Sequence, residues 1–246
     1  MSVLQSTAIV VGVGSEQGLG AALSRRFGRE GYHVVVSGRT EAKINRVVNA
    51  IIDDGGKAEA AIADATVEAD VVALFDQAEK RGADSLDLVA FNVGNNARHD
   101  FRTMPADFFE QTWRVATLGG FLVGREAARR LAPRGRGTMI FTGASASLRG
   151  RPPFTAFASA KAGLRSLAQS MAREFGPLGV HVGHVVIDGG IDGEKLNAAA
   201  PQYKIERGAD GLLNIDAIAE VYWHLHRQHP SAWTHELDLR PFKEPF

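Results

Sequence analysis

Phe157 and Lys161 stand four residues apart in the stretch Phe-Ala-Ser-Ala-Lys. On a helix that spacing puts ring and ammonium on one face, one turn apart. A phenol at the first position would make the pair a proton donor beside a cation. Phenylalanine has no oxygen, so the spacing of an acid/base pair is present without its hydroxyl. Lys161 keeps the charge, although a helix lysine is also compatible with plain solvation.

A second group with chemistry lies near the start. The run Val11-Gly12-Val13-Gly14-Ser15-Glu16-Gln17-Gly18-Leu19-Gly20 leads from an apolar stretch into an Ala/Leu/Arg helix pattern. Glycines at 14, 18 and 20 allow a tight turn, close approach of a pyrophosphate to backbone, and close packing of helix on strand. Ser15, Gln17 and Leu19 contribute backbone to the same turn, and the helix start adds partial positive charge for phosphates. Further on, Ser37-Gly38-Arg39 closes a second apolar run. An acidic residue there would accept from an adenosine 2'-hydroxyl, whereas Arg39 can pair with a 2'-phosphate, which favours NADP(H) over NAD(H).

These groups need a scaffold, and the patterning supplies one. Short apolar runs at 7–13, 33–37, 58–63, 86–91, 138–142 and 180–187 read as strands, separated by helical patterns at 18–30, 40–53, 67–81, 105–131 and 154–176. A helix at 215–228 and an alternating strand at 235–239 complete the pattern. Strands apolar on both faces and separated by helices imply a parallel sheet with right-handed crossovers. The expectation is an α/β fold: one Rossmann-type, doubly wound dinucleotide-binding domain over 1–246, with about seven strands and helices on both faces. The 188–213 segment has no sustained periodicity and comes after a strand's carboxyl end, so it is expected as an irregular substrate lid over the crevice.

Composition narrows the function. Lys plus Arg equals Asp plus Glu at 28 each, so no overall field points to nucleic acid or an anionic membrane. With no cysteine there is no thiolate nucleophile or cysteine-ligated metal. The start lacks a basic n-region and 8–13 is too short to span a bilayer, so a soluble, cytoplasmic protein is expected. His224, His226 and His229 do not converge on one helix face, His181 and His184 fall on opposite faces of a strand, and no metal site is expected.

Over its full length the pattern resembles the short-chain dehydrogenase/reductase family. Gly14-x-x-x-Gly18-x-Gly20 is similar to that family's cofactor motif, and Asp64-Ala65 to the position that meets the adenine. Phe91-Asn92-Val93-Gly94 is similar to its Asn-Asn-Ala-Gly motif, with Asn92 and Gly94 retained, and Asp188-Gly189-Gly190-Ile191 to its Pro-Gly turn. The resemblance implies that backbone at Ile191 meets the nicotinamide carboxamide and that Lys161 holds the nicotinamide ribose. It puts Phe157 at the position of the catalytic tyrosine, Ala144 at the carbonyl-orienting serine and Ala116 at the relay asparagine. It also implies a homodimer or homotetramer built through the helices around 105–131 and 154–176.

Three of the four catalytic groups are therefore expected to be absent. Candidates to replace them are Ser145, one residue from the serine position; Tyr203, in the lid; and Asp188, where the family has proline. The reading is an NADP(H)-dependent oxidoreductase that reduces a C=N, an activated C=C or a carbonyl of a small molecule. The alternatives are an inactive NADP(H)-binding sensor or partner protein, and a non-redox lyase or isomerase on the same scaffold.

Overall fold

The computed structural model describes residues 5–82, 84–94 and 96–244; residues 1–4 of the starting segment lie outside the described residues. In chain order come β1 (Thr7–Val11), α1 (Leu19–Arg29), β2 (His33–Gly38), α2 (Glu41–Asp53), β3 (Lys57–Ile62), α3 (Glu68–Glu79) and β4 (Leu86–Phe91). Next are α4 (Ala106–Trp113), a π-helical turn (Arg114–Leu118), α5 (Gly119–Leu131), β5 (Thr138–Thr142), α6 (Thr155–Phe175) and β6 (His181–Ile187). The chain ends with β7 (Ile191–Asp192), α7 (Glu194–Ala199), α8 (Pro201–Arg207), β8 (Leu213–Asn214), α9 (Ile215–His226) and β9 (Glu236–Leu239).

Seven strands form one sheet in the order β3-β2-β1-β4-β5-β6-β9, every pair parallel. Alternation along β1 shows why both faces are covered: Ala8 and Val10 pack with Phe27, Ile44 and Tyr222 on one side, while Ile9 and Val11 pack with Phe75, Leu122 and Leu164 on the other. Burying each large apolar side chain of this kind contributes about 1.5–3 kcal/mol. The strand order reverses between β1 and β4, which opens a crevice at their carboxyl ends where this Rossmann-type, doubly wound arrangement takes ligands.

Two segments differ from expectation. The single helix expected over 105–131 is α4 and α5 joined by the π-helical turn. Such a turn inserts a residue and re-phases the helix beyond it, and here it leads into glycines that let α5 lie close to its neighbours. A Cβ at Gly119 would stand 3.3 Å from the Ala65 carbonyl oxygen, and one at Gly120 would collide with Leu164. The 188–213 segment is not irregular. Ile191 pairs with Leu213 in a short parallel ladder, Pro201 opens α8, and Gly208, at φ 66°, closes it. Periodicity could not reveal helices as short as α7 and α8.

No helix among the described residues is long and apolar enough to cross a membrane. Among the same residues no group of three or more His, Asp or Glu is placed to hold a metal ion. His226 instead bonds Tyr32 and Thr138, at 2.7 and 2.8 Å, and His229 bonds Ser231.

Candidate active site

The glycine turn is shaped by its neighbours. Gly12, at φ 93°, carries the chain out of β1, and a Cβ there would lie 2.8 Å from the Asn92 carbonyl carbon. Asn92 in turn donates through Nδ2 to the Gly12 carbonyl at 3.4 Å. At Gly20 a Cβ would stand 3.0 Å from Val13 Cα, and at Gly18 3.0 Å from the Ser15 carbonyl oxygen, so both are needed for α1 to start this close to the turn. Gly14 is different: a Cβ there meets no atom within 4 Å among the described residues. Its backbone faces open space next to the start of α1, a cradle suited to a pyrophosphate. Neither Gly12 nor Gly38 stands out in the sequence; a Cβ at Gly38 would collide with the Val13 carbonyl, a long-range restriction that motif spacing does not carry.

At the adenine end, Arg39 is largely exposed, with Nη1 3.8 Å from an oxygen of Asp64. Burial tends to raise the Asp64 pKa. Hydrogen bonds from the amide and hydroxyl of Thr66, with the Arg39 guanidinium nearby, nevertheless hold its carboxyl below the usual range. Ala65 is buried beside it. Arg39 is thus a guanidinium with open donors at the end of β2, the chemistry a 2'-phosphate needs.

Lys161, on α6, points to the carboxyl ends of β4 and β5. It is 4% exposed, and Nζ donates to the carbonyls of Thr142 at 2.7 Å and Val93 at 3.2 Å, which ties α6 to the ends of β4 and β5. Burial pushes the ammonium down to about 8. Gly94 leaves it room, since a Cβ there would stand 3.0 Å from Nζ. The half-buried Phe157 ring lies with its centroid 6.0 Å from Nζ, on the side where the helical spacing placed it. Ala144 ends the extended run of β5, and Ser145–Ser147 forms a single 3₁₀ turn after it, with Ser145 half-buried. Ala116 is buried in the π-helical turn, whose Thr117 hydroxyl donates to the Ala160 carbonyl at 2.8 Å and so locks the turn to α6.

The remaining candidates are held elsewhere. Asp188 is buried, and both its carboxylate oxygens are taken: Arg149 Nη2 reaches them at 3.0 and 3.1 Å and Arg240 Nη2 reaches Oδ2 at 2.9 Å. It fastens the loop after β5 and the end of β9 to the end of β6. The structure therefore gives it a clasp, with no carboxylate oxygen left unpaired for proton transfer. Tyr203, in α8, lies under the Arg207 guanidinium at 4.9 Å and against Gly190, where a Cβ would stand 3.0 Å from its Cε1. Asp192, next to Ile191, accepts hydrogen bonds from Lys204 and Asn197, which hold its carboxyl below the usual range. Ile191 is half-buried in β7. Just past it, the Glu194 amide donates to the Gln17 carbonyl at 2.8 Å, so the 188–213 segment rests on the glycine turn itself.

A doubly wound parallel sheet, a glycine turn at the switch point and a buried lysine one turn after a ring define a dinucleotide-binding oxidoreductase class. The chain belongs to the short chain dehydrogenase family, whose model matches residues 7–203. It is 33% identical over 191 residues to versicolorin reductase 1 of Dothistroma septosporum, covering 77% of this chain and 72% of that one. It is 34% identical over 197 residues to the L-rhamnose 1-dehydrogenase (NAD(P)(+)) of Azotobacter vinelandii, with 76% and 73% covered. A short-chain dehydrogenase from Rhodopseudomonas palustris has the same fold at TM-score 0.82 and 36% identity, covering 96% of this chain and 99% of that one.

Proposed function

We propose that this chain is an NADP(H)-dependent oxidoreductase of altered catalytic constellation, reducing a C=N, an activated C=C or a carbonyl of a small molecule. The observation that carries the reading is the buried Lys161 ammonium beside Phe157, next to an open glycine turn. The dinucleotide supplies or accepts the hydride. The backbone of 14–20 holds its phosphates, Arg39 a 2'-phosphate, Asp64 and Ala65 the adenine, and Asn92, Gly94, Lys161 and Ile191 the nicotinamide half. Preference for NADP(H) over NAD(H) rests on Arg39; the name of the rhamnose dehydrogenase, which carries both cofactors, bears only on use of a nicotinamide dinucleotide.

Phe157, Ala144 and Ala116 offer a forming alkoxide no hydroxyl or amide. Lys161 spends two of its three N–H groups on Thr142 and Val93 and keeps one. With its pKa near 8 it is poised for proton donation close to neutral pH. An iminium substrate brings its own proton and charge, and an enone takes its proton at a distant carbon, so both place less demand on this site than a ketone does. Stoichiometric NADPH oxidation over a panel of ketones, enones and imines tests the reading; turnover is expected with imines or enones before simple ketones. Tight NADPH binding with no turnover across the panel would replace it by the second reading, a non-catalytic NADP(H)-binding protein, which the three missing polar groups favour.

Arg39→Ala should lower affinity for NADPH by about 10- to 100-fold, the worth of one or two charge-assisted hydrogen bonds, and leave NADH affinity unchanged. Fluorescence titration of both cofactors checks this, and equal losses for the two would remove Arg39 from the 2'-phosphate.

A further inference from the structure

His184 is fully buried in β6, and its ring is satisfied on one side only. Nδ1 lies 2.9 Å from Oε2 of Glu236, and Arg165 grips that carboxylate with Nε and Nη2, each at 2.7 Å. A carboxylate only accepts, so Nδ1 carries the ring proton and Nε2 is left as a lone pair. Burial pushes the imidazole down to about 4 against the pull of Glu236, which keeps it neutral at pH 7. Nε2 has no partner. A buried acceptor left unpaired is costly and uncommon in folded proteins.

The open edge of the ring faces the turn after β5. A Cβ at Gly143 would collide with Nε2 and Cε1 of His184 and would stand 3.1 Å from Ser147 Oγ. Imidazole lone pair and serine hydroxyl therefore share the small space beside the Gly143 Cα, which glycine keeps open. Ser147 is itself buried; its Oγ accepts the Ala144 amide at 3.1 Å, and its own hydrogen has no acceptor among the described residues. One group lacks a donor and the other lacks an acceptor. The charged groups around the ring are Glu236 from β9 and Lys161 and Arg165 from α6, and none of them occupies Nε2.

We infer that Ser147, His184, Glu236 and Arg165 act as one buried polar chain, closed when the Ser147 hydroxyl, which makes no bond to the ring in the structure, turns to donate to His184 Nε2. His184 is thereby a positioning residue that fixes the Ser145–Ser147 turn and holds Ser145 at the crevice. For its catalytic consequence the inference rests on the oxidoreductase reading. A chain of this kind gives the turn a defined orientation at the place where Ala144 supplies no hydroxyl. It also gives Gly143 a reason that local conformation does not, since the imidazole needs the volume a side chain would fill.

Ser147→Ala removes a single oxygen. In the histidine-labelled, NADPH-loaded protein, the ¹⁵N resonance of His184 Nε2 is expected at a hydrogen-bonded position in the wild type and at an unbonded lone-pair position in the variant. A resonance that does not move overturns the chain. With NADPH affinity unchanged, kcat on the best substrate should fall by about 10- to 100-fold, the scale of a misplaced catalytic group, and Ser147→Thr should recover most of it. Equal kcat in wild type and Ser147→Ala overturns the positioning role. If the wild type binds NADPH but turns nothing over, the failure belongs to the oxidoreductase reading, and the resonance alone then decides the chain.

Discussion

Lys161→Met is expected to abolish a pH dependence of stability as well as turnover. With its pKa depressed from 10.5 to about 8, Lys161 is protonated in both folded and unfolded chains below pH 8, and the fold there carries the full burden of a desolvated cation. Between about pH 8 and 10.5 the folded state releases the proton while the unfolded state keeps it. The unfolded chain then binds more protons, so stability rises with pH across this window, by about 3 kcal/mol at the usual worth of a pKa unit. The methionine variant has no such rise. At neutral pH the two proteins should be similar, because relief of the buried charge is offset by the Thr142 and Val93 carbonyls losing their donor, at about 1–3 kcal/mol each. Tyr32 and Tyr222, both pushed up by burial, titrate in the opposite sense and cancel in the difference between the two proteins. Urea unfolding of both at pH 7.5 and 10 measures the effect. A difference that does not change with pH would mean that Lys161 is not a buried ammonium. Loss of the proton-donating and ribose-holding roles proposed for it should cost at least about 10²-fold in turnover.

That lysine also marks where sequence reasoning stops. The central strands were legible because they are apolar on both faces, β9 because it alternates, and the glycine turn because it lies between a strand and a helix. The helical spacing of Phe157 and Lys161 placed both correctly on one face. Burial of the ammonium was not legible, since lysine in a helix is ordinarily solvated, and its acceptors come from Val93 and Thr142, 68 and 19 residues away. Asp188 illustrates the same limit. In the sequence it was one candidate to replace a missing catalytic group, and nothing local announced its arginines, which arrive from positions 39 and 52 residues distant. His184 drew notice only for falling on the strand face opposite His181; Glu236, 52 residues on, reaches it only because β9 adds to the sheet next to β6. Polar networks assembled across parallel strands have no local periodicity to announce them.

The largest gain in activity should come from restoring two groups together. Phe157→Tyr alone puts an oxygen on a half-buried ring whose centroid is 6.0 Å from Lys161 Nζ, and a phenol beside a cation is shifted toward its ionised form. Lys161, however, already gives two N–H groups to the ends of β4 and β5 and has one left for ribose or phenol. Ala144, at the position the resemblance assigns to the carbonyl-orienting serine, leaves a ketone free to rotate away from the new donor. Phe157→Tyr is therefore expected to raise ketone turnover by less than about 10-fold, whereas F157Y/A144S should raise it by about 10²- to 10⁴-fold, the usual range for a positioned general acid. Initial rates of NADPH oxidation on a fixed ketone, with NADPH affinity measured in parallel, separate the two outcomes. A large gain from the phenol alone would show that Ser145 already orients the carbonyl and that the site departs from its family by a single oxygen. Silence from the double variant, with the cofactor still bound, would place the limitation in the Ala116 turn. There the π-helical backbone is locked to α6 by Thr117, and Ala116, at the position the resemblance assigns to the relay asparagine, offers no polar side chain.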